Sequence, residues 1–556
     1  MEAPLCILSA AAALLGLINH YFFRNYEPSG ANVPFLLLAT QPAVLVFVGG
    51  ASFTSNNNTR LLYYTYAYVV FLCSLCLSIV AYRLSPLHPL AHYPGPKIGK
   101  VTKLWGLWKA ARGYKYLYHK ELHDKYGPWV RIGPNEISVI DAPAVRQILS
   151  LGGLEKSRYY EAGRHEATPP SIVCLSGDAH TAKRRVWNRA MTPAAIREYE
   201  PLVAKRARQF ISRLREQDLD TASGVDVVRW VDLFALDLMG DLAFGGGFEM
   251  MRDGGDVDGL GERIRGFVKA SNLIGQVPWT INTVQKLPQV DRTVQEFNAF
   301  GQNLAMRRMK NGAVGTKDLW YHLADEAGVE KEIPSLENSA ADGIVAVVAA
   351  SDTVASTLSS VVWFLLSNPG CYRRVQQELD SVITDGDDPF DATKHQELNF
   401  LSACINETLR LHPPLPSNGT RQVYSRQPDR IIAGRVIPSG TTVSTPAYSL
   451  HRNPDYFSPH PDKFLPDRWL GDSRFDRHDT SAFIPFSLGP SNCVGQKFAK
   501  REMLMVLCVL FKSFDMRFAD GFDGEAWPKG MQDFFVVTRG PLCVKLTPRH
   551  GDSINM

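Results

Sequence analysis

The residues of this 556-residue chain best suited to chemistry converge near its C-terminal end, in Phe486-Ser487-Leu488-Gly489-Pro490-Ser491-Asn492-Cys493-Val494-Gly495. A cysteine acts as nucleophile or metal ligand through its thiolate, and an anionic sulfur is favoured near a helix N-terminus. The chain supplies that setting, because the sequence after Gly495 reads as a helix from Gln496 to about Phe514. Gly489 and Gly495 would let the backbone approach a large flat group that a Cβ would obstruct. Phe486 is placed to cover the sulfur, and Pro490 to stiffen the loop. A metal-ligating thiolate in a dry pocket is therefore expected of Cys493; the alternative is a buried structural cysteine in a Gly/Pro loop.

Three further constellations lie upstream. His180 and Arg184 fall at i, i+4 within Gly177 to Trp187, on one helical face. Imidazole and guanidinium so placed could grip a carboxylate together, whereas Lys183, Arg185 and Arg189 read as a solvated basic face. Ser335 to Asn368 reads as a long helix closed by Pro369-Gly370, on the order of 50 Å at 1.5 Å per residue. Its centre, Ile344 to Ala350, is small and apolar all round, as in a helix buried on every side. Asp352, beside Thr353, would be a costly charge there unless it has a partner or a task. Glu407 and Arg410 lie at i, i+3, before His412-Pro413-Pro414-Leu415-Pro416 ends their helix, and Pro466-Asp467-Arg468 follows.

Taken in order, the acid–threonine pair, Glu-x-x-Arg, Pro-x-Arg and Phe-x-x-Gly-x-x-x-Cys-x-Gly resemble the cytochrome P450 family, over roughly Ser85 to Arg549. The resemblance implies a mainly α fold with small β-sheets. It implies haem b (iron-protoporphyrin IX), with Cys493 as the proximal iron ligand and Phe486, Gly489 and Gly495 around it. It places His180 and Arg184 at a haem propionate, and Arg421 as another propionate arginine. Asp352 and Thr353 become the pair that supplies protons during activation of O2. Glu407, Arg410 and Arg468 become a buried triad that locks the loop leading to the cysteine and that tolerates no missing member. Two positions depart from the pattern. Ala350 stands where the family usually has glycine, adding a methyl near the oxygen cleft. Ser491 stands where it usually has a propionate-binding arginine or histidine, and a hydroxyl brings no charge. His180, Arg184 and Arg421 must then supply the positive field, and haem affinity is expected to be lower.

The elements that must position these groups are legible in outline. Val130 to Gly133 and Glu136 to Val139 read as a strand pair around Pro134-Asn135, while Ala194 to Gln217 and Val225 to Phe244 carry helical periodicity. Three apolar stretches come first, Ala3 to Phe23, Val33 to Phe53 and Leu61 to Tyr82, each close to the ~20 residues that cross a bilayer. Gln41-Pro42 interrupts the second. Arg83, Lys97, Lys100 and Lys103 follow the third, so the positive-inside rule puts the rest of the chain in the cytosol. The loop Thr54 to Arg60 is then lumenal, with Asn57 of Asn57-Asn58-Thr59 as a glycosylation acceptor; the sequons at Asn406 and Asn418 read as chance. Expected units are an anchor over 1–84, a proline-rich hinge over 85–97 and a catalytic domain over 98–550.

Nine scattered cysteines show neither zinc spacing nor a disulfide framework, which suits a reducing compartment. A net charge of +4 without a polybasic tail gives no sign of a nucleic-acid partner. The resemblance implies a monooxygenase of the endoplasmic reticulum membrane that takes electrons from NADPH through NADPH-cytochrome P450 reductase, with cytochrome b5 as a second donor. Its nearest likeness is to fungal members of secondary metabolism, and the three-span anchor resembles that of hydroxylases acting on indole alkaloids. An apolar substrate, such as an indole, terpenoid or polyketide, suits a site lined by Ile344, Val345, Val347, Val348 and Phe534-Phe535. The rivals are a haem-thiolate isomerase or dehydratase, which needs no proton relay of the Asp352-Thr353 kind, and a membrane-tethered haem protein without turnover.

Overall fold

The computed structural model describes residues 2–26, 32–49, 57–164, 168–219, 223–246, 248–312, 317–384, 386–475 and 477–549. Elements used below are labelled in chain order. The apolar N-terminal stretches form α1 (Glu2–Asn25), α2 (Asn32–Val48) and α3 (Asn57–Leu84), with α1 and α2 both packed on α3. Gly16 permits the α1–α3 approach, since a Cβ there would stand 2.8 Å from the Phe71 carbonyl oxygen. Leu5–Asn25 and Arg60–Leu84 are long and apolar enough to cross a membrane, whereas α2 is shorter, at 17 residues. Two expectations change here. Pro42 lies inside α2 without breaking it, and Gln41 accepts a hydrogen bond from buried Asn19. Asn57 begins α3 instead of lying in a loop; its side chain, and residues 51–56 before it, are outside the described residues.

The rest of the described chain is mostly helical. The helices that frame the site are α4 (Gly177–Ala190), α5 (Pro193–Arg215), α6 (Val227–Phe244), α7 (Leu260–Gly275), α8 (Pro288–Asn311), α9 (Leu336–Ser367), α10 (Asn399–Leu411) and α11 (Gln496–Ser513). The two periodic stretches thus become α5 and α6, except that Val225 and Asp226 pair with Val544 and Cys543 as a strand. Asp226 then caps α6 by accepting from the Val228 N–H, and Gly245, at φ +68°, ends it. α9 is the long apolar helix. Ser335 accepts from the Asn338 N–H at its start, and its 32 residues span ~48 Å. It packs along α6, and Gly343 allows this because a Cβ would meet the Phe244 ring at 2.7 Å. Although long and apolar, α9 is largely buried within the protein.

The expected strand pair is present as β1 (Trp129–Gly133) and β2 (Glu136–Val139). With β3 (Glu155–Lys156), β4 (Thr420–Gln422) and β5 (Thr442–Ser444) it forms a sheet in the order β1-β2-β5-β4-β3. Only β2 and β5 run parallel. This sheet brings Lys156 opposite Arg421 although they are far apart in sequence.

The ionic triad ties α10 to the segment before the cysteine. Glu407 is fully buried and accepts from Arg410 Nε and Nη2, both at 2.8 Å, and from Arg468 Nε at 3.1 Å. The Leu465 N–H and Trp469 Nε1 complete its shell at 2.9 Å each. Burial opposes the charge, but the two guanidiniums and these donors hold the Glu407 carboxyl below its usual range. Arg410 also donates to the carbonyls of His451 (2.8 Å) and Lys463 (3.1 Å). His451 then carries the connection onward, since the Ile484 N–H donates to its Nε2 at 2.9 Å while Nδ1 faces the Arg410 carbonyl at 3.2 Å. Burial, with Arg410 nearby, pushes His451 down to about 3, so the ring is neutral.

Replacing Glu407 by Gln leaves two buried guanidiniums without their carboxylate. The expected loss is about 3–5 kcal/mol, read as a lower midpoint in denaturant; an unchanged midpoint contradicts the arrangement. The histidines give a pH signature. His451 and His412 both sit near 3 in the fold, through burial, against about 6.5 when unfolded. The unfolded chain therefore binds more protons between these values, and stability falls as pH drops from about 6.5 toward 4. Replacing His451 by Gln should flatten that slope in a denaturation series over pH.

Candidate active site

A cavity of about 1040 Å³ lies between α9, the cysteine loop, α4, α7 and α8, at the upper end of the ~300–1,000 Å³ of small-molecule sites. Its wall is mainly apolar. The cysteine loop closes through the Cys493 N–H, which donates to the Phe486 carbonyl at 2.8 Å. Cys493, Phe486, Ser491 and Gly495 all reach the wall, and the surface of Cys493 opens on this internal space. Burial pushes its thiol up, while the Gly495 N–H and the Arg184 charge pull it back. Gly495 is the N-cap of α11, and a Cβ there would find only Cys493 Sγ, at 4.0 Å. Gly489 has a different task from the expected one and stands off the cavity wall. At φ +70° it makes the turn, and a Cβ would collide with the Leu149 carbonyl oxygen at 2.1 Å.

His180 and Arg184, the expected carboxylate grip, both line the cavity, and Arg184 has a second task. Arg184 does not stand free beside His180. Its guanidinium donates to the carbonyls of Pro490 (3.2 Å) and Asn492 (2.6 Å), to Asn492 Oδ1 (2.6 Å) and to Asn188 Oδ1 (2.9 Å). A planar fork suits these loop acceptors, so Arg184 braces the cysteine loop. His180 is buried against the cavity, and burial together with Lys156, Arg184 and Arg421 pushes it to about 4, hence neutral. Arg421 projects from β4, with Nη1 buried and without a hydrogen-bond partner. Lys156, its neighbour across the β3–β4 ladder, donates to the Ile172 carbonyl at 2.9 Å. Burial and Arg421 push the Lys156 amine down to about 8. Lys156 escaped the sequence reading because no motif surrounds it; only strand pairing places it here.

On α9, Ala349, Ala350, Thr353 and Thr357 line the cavity. Thr353 Oγ1 donates to the Ala349 carbonyl at 2.9 Å, which leaves its lone pairs free to accept. Asp352 does not reach the wall. Burial pushes its carboxyl up, while Arg539 and Arg265 pull it back. Both arginines also pair with Asp232, Arg265 at 3.8 Å, and Arg539 donates to Ser359 Oγ at 3.2 Å. Consecutive helical residues point ~100° apart, so adjacent positions on α9 serve different sides. The same geometry corrects the substrate wall. Ile344, Val345, Val348 and Phe535 line the cavity, but Val347 packs into the helical core. Phe534 also leaves the wall; its ring lies under the Lys269 ammonium at 4.1 Å.

These residues fit a haem: a sulfur on one wall, a glycine beside it, and a buried guanidinium nitrogen without a partner, Arg421 Nη1, with Lys156 and His180 at the same cavity. The family model described as Cytochrome P450 matches residues 95–545. The chain belongs to the cytochrome P450 family. Its fungal P450 relatives include averantin hydroxylase of Dothistroma septosporum, 30% identical over 540 residues, covering 95% of this chain and 97% of that protein. Tryprostatin B 6-hydroxylase of Aspergillus fumigatus is 29% identical over 565 residues, covering 98% and 97%. Cytochrome P450 67 of Uromyces fabae is 30% identical over 491 residues, covering 85% and 89%. With haem bound, Arg421, Lys156, His180, Arg184 and Ser491, all on the cavity wall, would be the groups to hold its propionates, and Cys493 the one to hold its iron.

With Cys493 as the ligand, the reduced protein under carbon monoxide should show the red-shifted absorption of thiolate ligation, and Cys493→Ser should lose it. Retention of that band in the variant excludes Cys493.

Proposed function

We propose that this protein is a membrane-anchored monooxygenase that inserts one atom of O2 into an apolar small molecule of fungal secondary metabolism. The observation that carries this is one mainly apolar cavity whose wall contains both the Cys493 sulfur and the Thr353 hydroxyl. The named hydroxylases among its relatives point to the same reaction. Electrons come from NADPH through NADPH-cytochrome P450 reductase, with cytochrome b5 as an auxiliary donor. Residues 1–84 anchor the protein in the endoplasmic reticulum membrane, 85–97 form a hinge and 98–550 the cytosolic catalytic domain, with Asn57 lumenal and glycosylated.

Bound haem supplies the redox chemistry, accepting electrons and activating O2. The chain's own residues do the rest. Arg184 keeps the cysteine loop in place through its hydrogen bonds to Pro490 and Asn492. Apolar side chains such as Ile344, Val348 and Phe535 exclude water around the substrate. Thr353 positions a proton donor at Oγ1, and Asp352 takes protons at its carboxyl on the side of Asp232 and Arg539, replenishing Thr353 through water.

Replacing Thr353 by Ala should keep haem content and ligand binding while product per NADPH falls and peroxide rises. General acid–base effects of this type reach ~10²–10⁴-fold, with leakage reducing the visible change. Unchanged coupling removes Thr353 from the proton path, and product formed without NADPH or reductase replaces the monooxygenase by the isomerase.

A further inference from the structure

One polar group of the cavity wall, Asn272, is held by an ordered chain of hydrogen bonds. That chain starts at Lys115, whose ammonium can only donate and does so to Gln276 Oε1 at 2.7 Å. That fixes the amide of Gln276, turning Nε2 toward Asn272, where it donates to Oδ1 at 3.2 Å and to the backbone carbonyl at 3.3 Å. Asn272 Oδ1 also accepts from the Tyr159 hydroxyl at 2.7 Å. The Tyr159 ring is held in turn, because it lies against Gly275, where a Cβ would stand 2.6 Å from Cδ2. Burial pushes the Tyr159 phenol well above its ordinary range, so it remains a donor.

Both bonds occupy the oxygen of Asn272 and leave its NH2 on the other side. Among the described residues nothing accepts from Asn272 Nδ2, and this nitrogen is not one of the buried orphaned atoms. Asn272 itself is 8% exposed and lines the cavity on α7, together with Tyr159 and Phe535. We infer that Asn272 is a specificity residue that presents a preoriented N–H donor to the substrate, selecting apolar molecules that carry a carbonyl oxygen. Its physical basis is an asymmetry. A donor in an apolar wall gains little from an oxygen-free ligand and is left unpaired by it, at a cost typical of an unsatisfied buried group. A site built to bond one polar atom therefore discriminates strongly against ligands that lack it.

This rests on the reading of the cavity as a substrate site but not on turnover, so the test uses ligand binding alone. Matched rigid pairs that differ by one carbonyl serve as probes: fluorene and 9-fluorenone, xanthene and xanthone, 5α-androstane and 5α-androstan-17-one. Each is titrated into the haem-loaded full chain and followed by the Soret shift. In the wild-type protein at least one ketone should bind about 10-fold more tightly than its hydrocarbon partner, the equivalent of one hydrogen bond to a neutral group. Asn272→Leu should abolish that preference while the hydrocarbon binds at least as well. Asn272→Asp keeps an acceptor for Tyr159 and Gln276 but removes the donor, so it too should lose the preference with the local packing preserved. Equal preference in wild type and Asn272→Asp, or no ketone preference in any wild-type pair, overturns the inference. Absence of a thiolate-type carbon monoxide band would instead overturn the haem reading, and failed turnover with intact ketone selection would overturn only the proposed reaction.

Discussion

The structure depends on one buried charge. Glu407 has no contact with water, yet it is ionised, because two guanidiniums, an indole N–H and a backbone N–H converge on its oxygens. Such a cluster offers little net stability over apolar packing, but it is intolerant of partial loss. What it contributes is position. Arg410 and Arg468 collect backbone carbonyls from the irregular stretch between His451 and Lys463, a part of the chain without long helices or strands to hold it. His451 passes that order to Ile484, from which the chain runs directly to Phe486 and the cysteine loop. The sulfur is thus located by a relay of hydrogen bonds that begins at α10.

A second brace comes from the other side. Arg184 reaches from α4 to the carbonyls on either side of Ser491. With α11 behind it, the loop is fixed at its start, its middle and its end. This suits a metal ligand, whose angle to the metal must be reproducible, and the close approach of the Leu149 carbonyl to Gly489 packs the loop's turn from outside the cavity.

The outline of the fold and the residues of the triad were legible because their signals are local: long apolar periodicity, a Pro-terminated helix, a Gly/Pro loop around one cysteine. The strand pair around Pro134-Asn135 and the bodies of α5 and α6 were legible for the same reason, but not the strand Val225–Asp226 before α6, whose partners lie far along the chain. Direction was not. Which of Val347 and Val348 faces the cavity depends on the rotation of α9 against α6, which neighbouring side chains such as Phe244 decide. The loop contacts of Arg184 could not be read, because their acceptors lie about 300 residues away in sequence. Lys156 and Asn272 carry no motif; the β3–β4 pairing and the end of α7 bring them to the cavity. Pro42, a breaker by local rule, is tolerated inside α2, whose neighbours α1 and α3 pack along it.

The opposite orientation of the neighbours Asp352 and Thr353 has a consequence for what the cavity can accept. The carboxylate lies outside the chamber, among Arg539, Arg265 and Asp232, and only the hydroxyl looks inward. α9 therefore acts as a partition, with the ionic cluster on one side and the apolar chamber on the other. A bulky guest can fill the chamber without displacing the acid or stripping its counter-charges. Chamber and ionic cluster are separate in this architecture, so the chamber wall can change shape without rebuilding the ionic side.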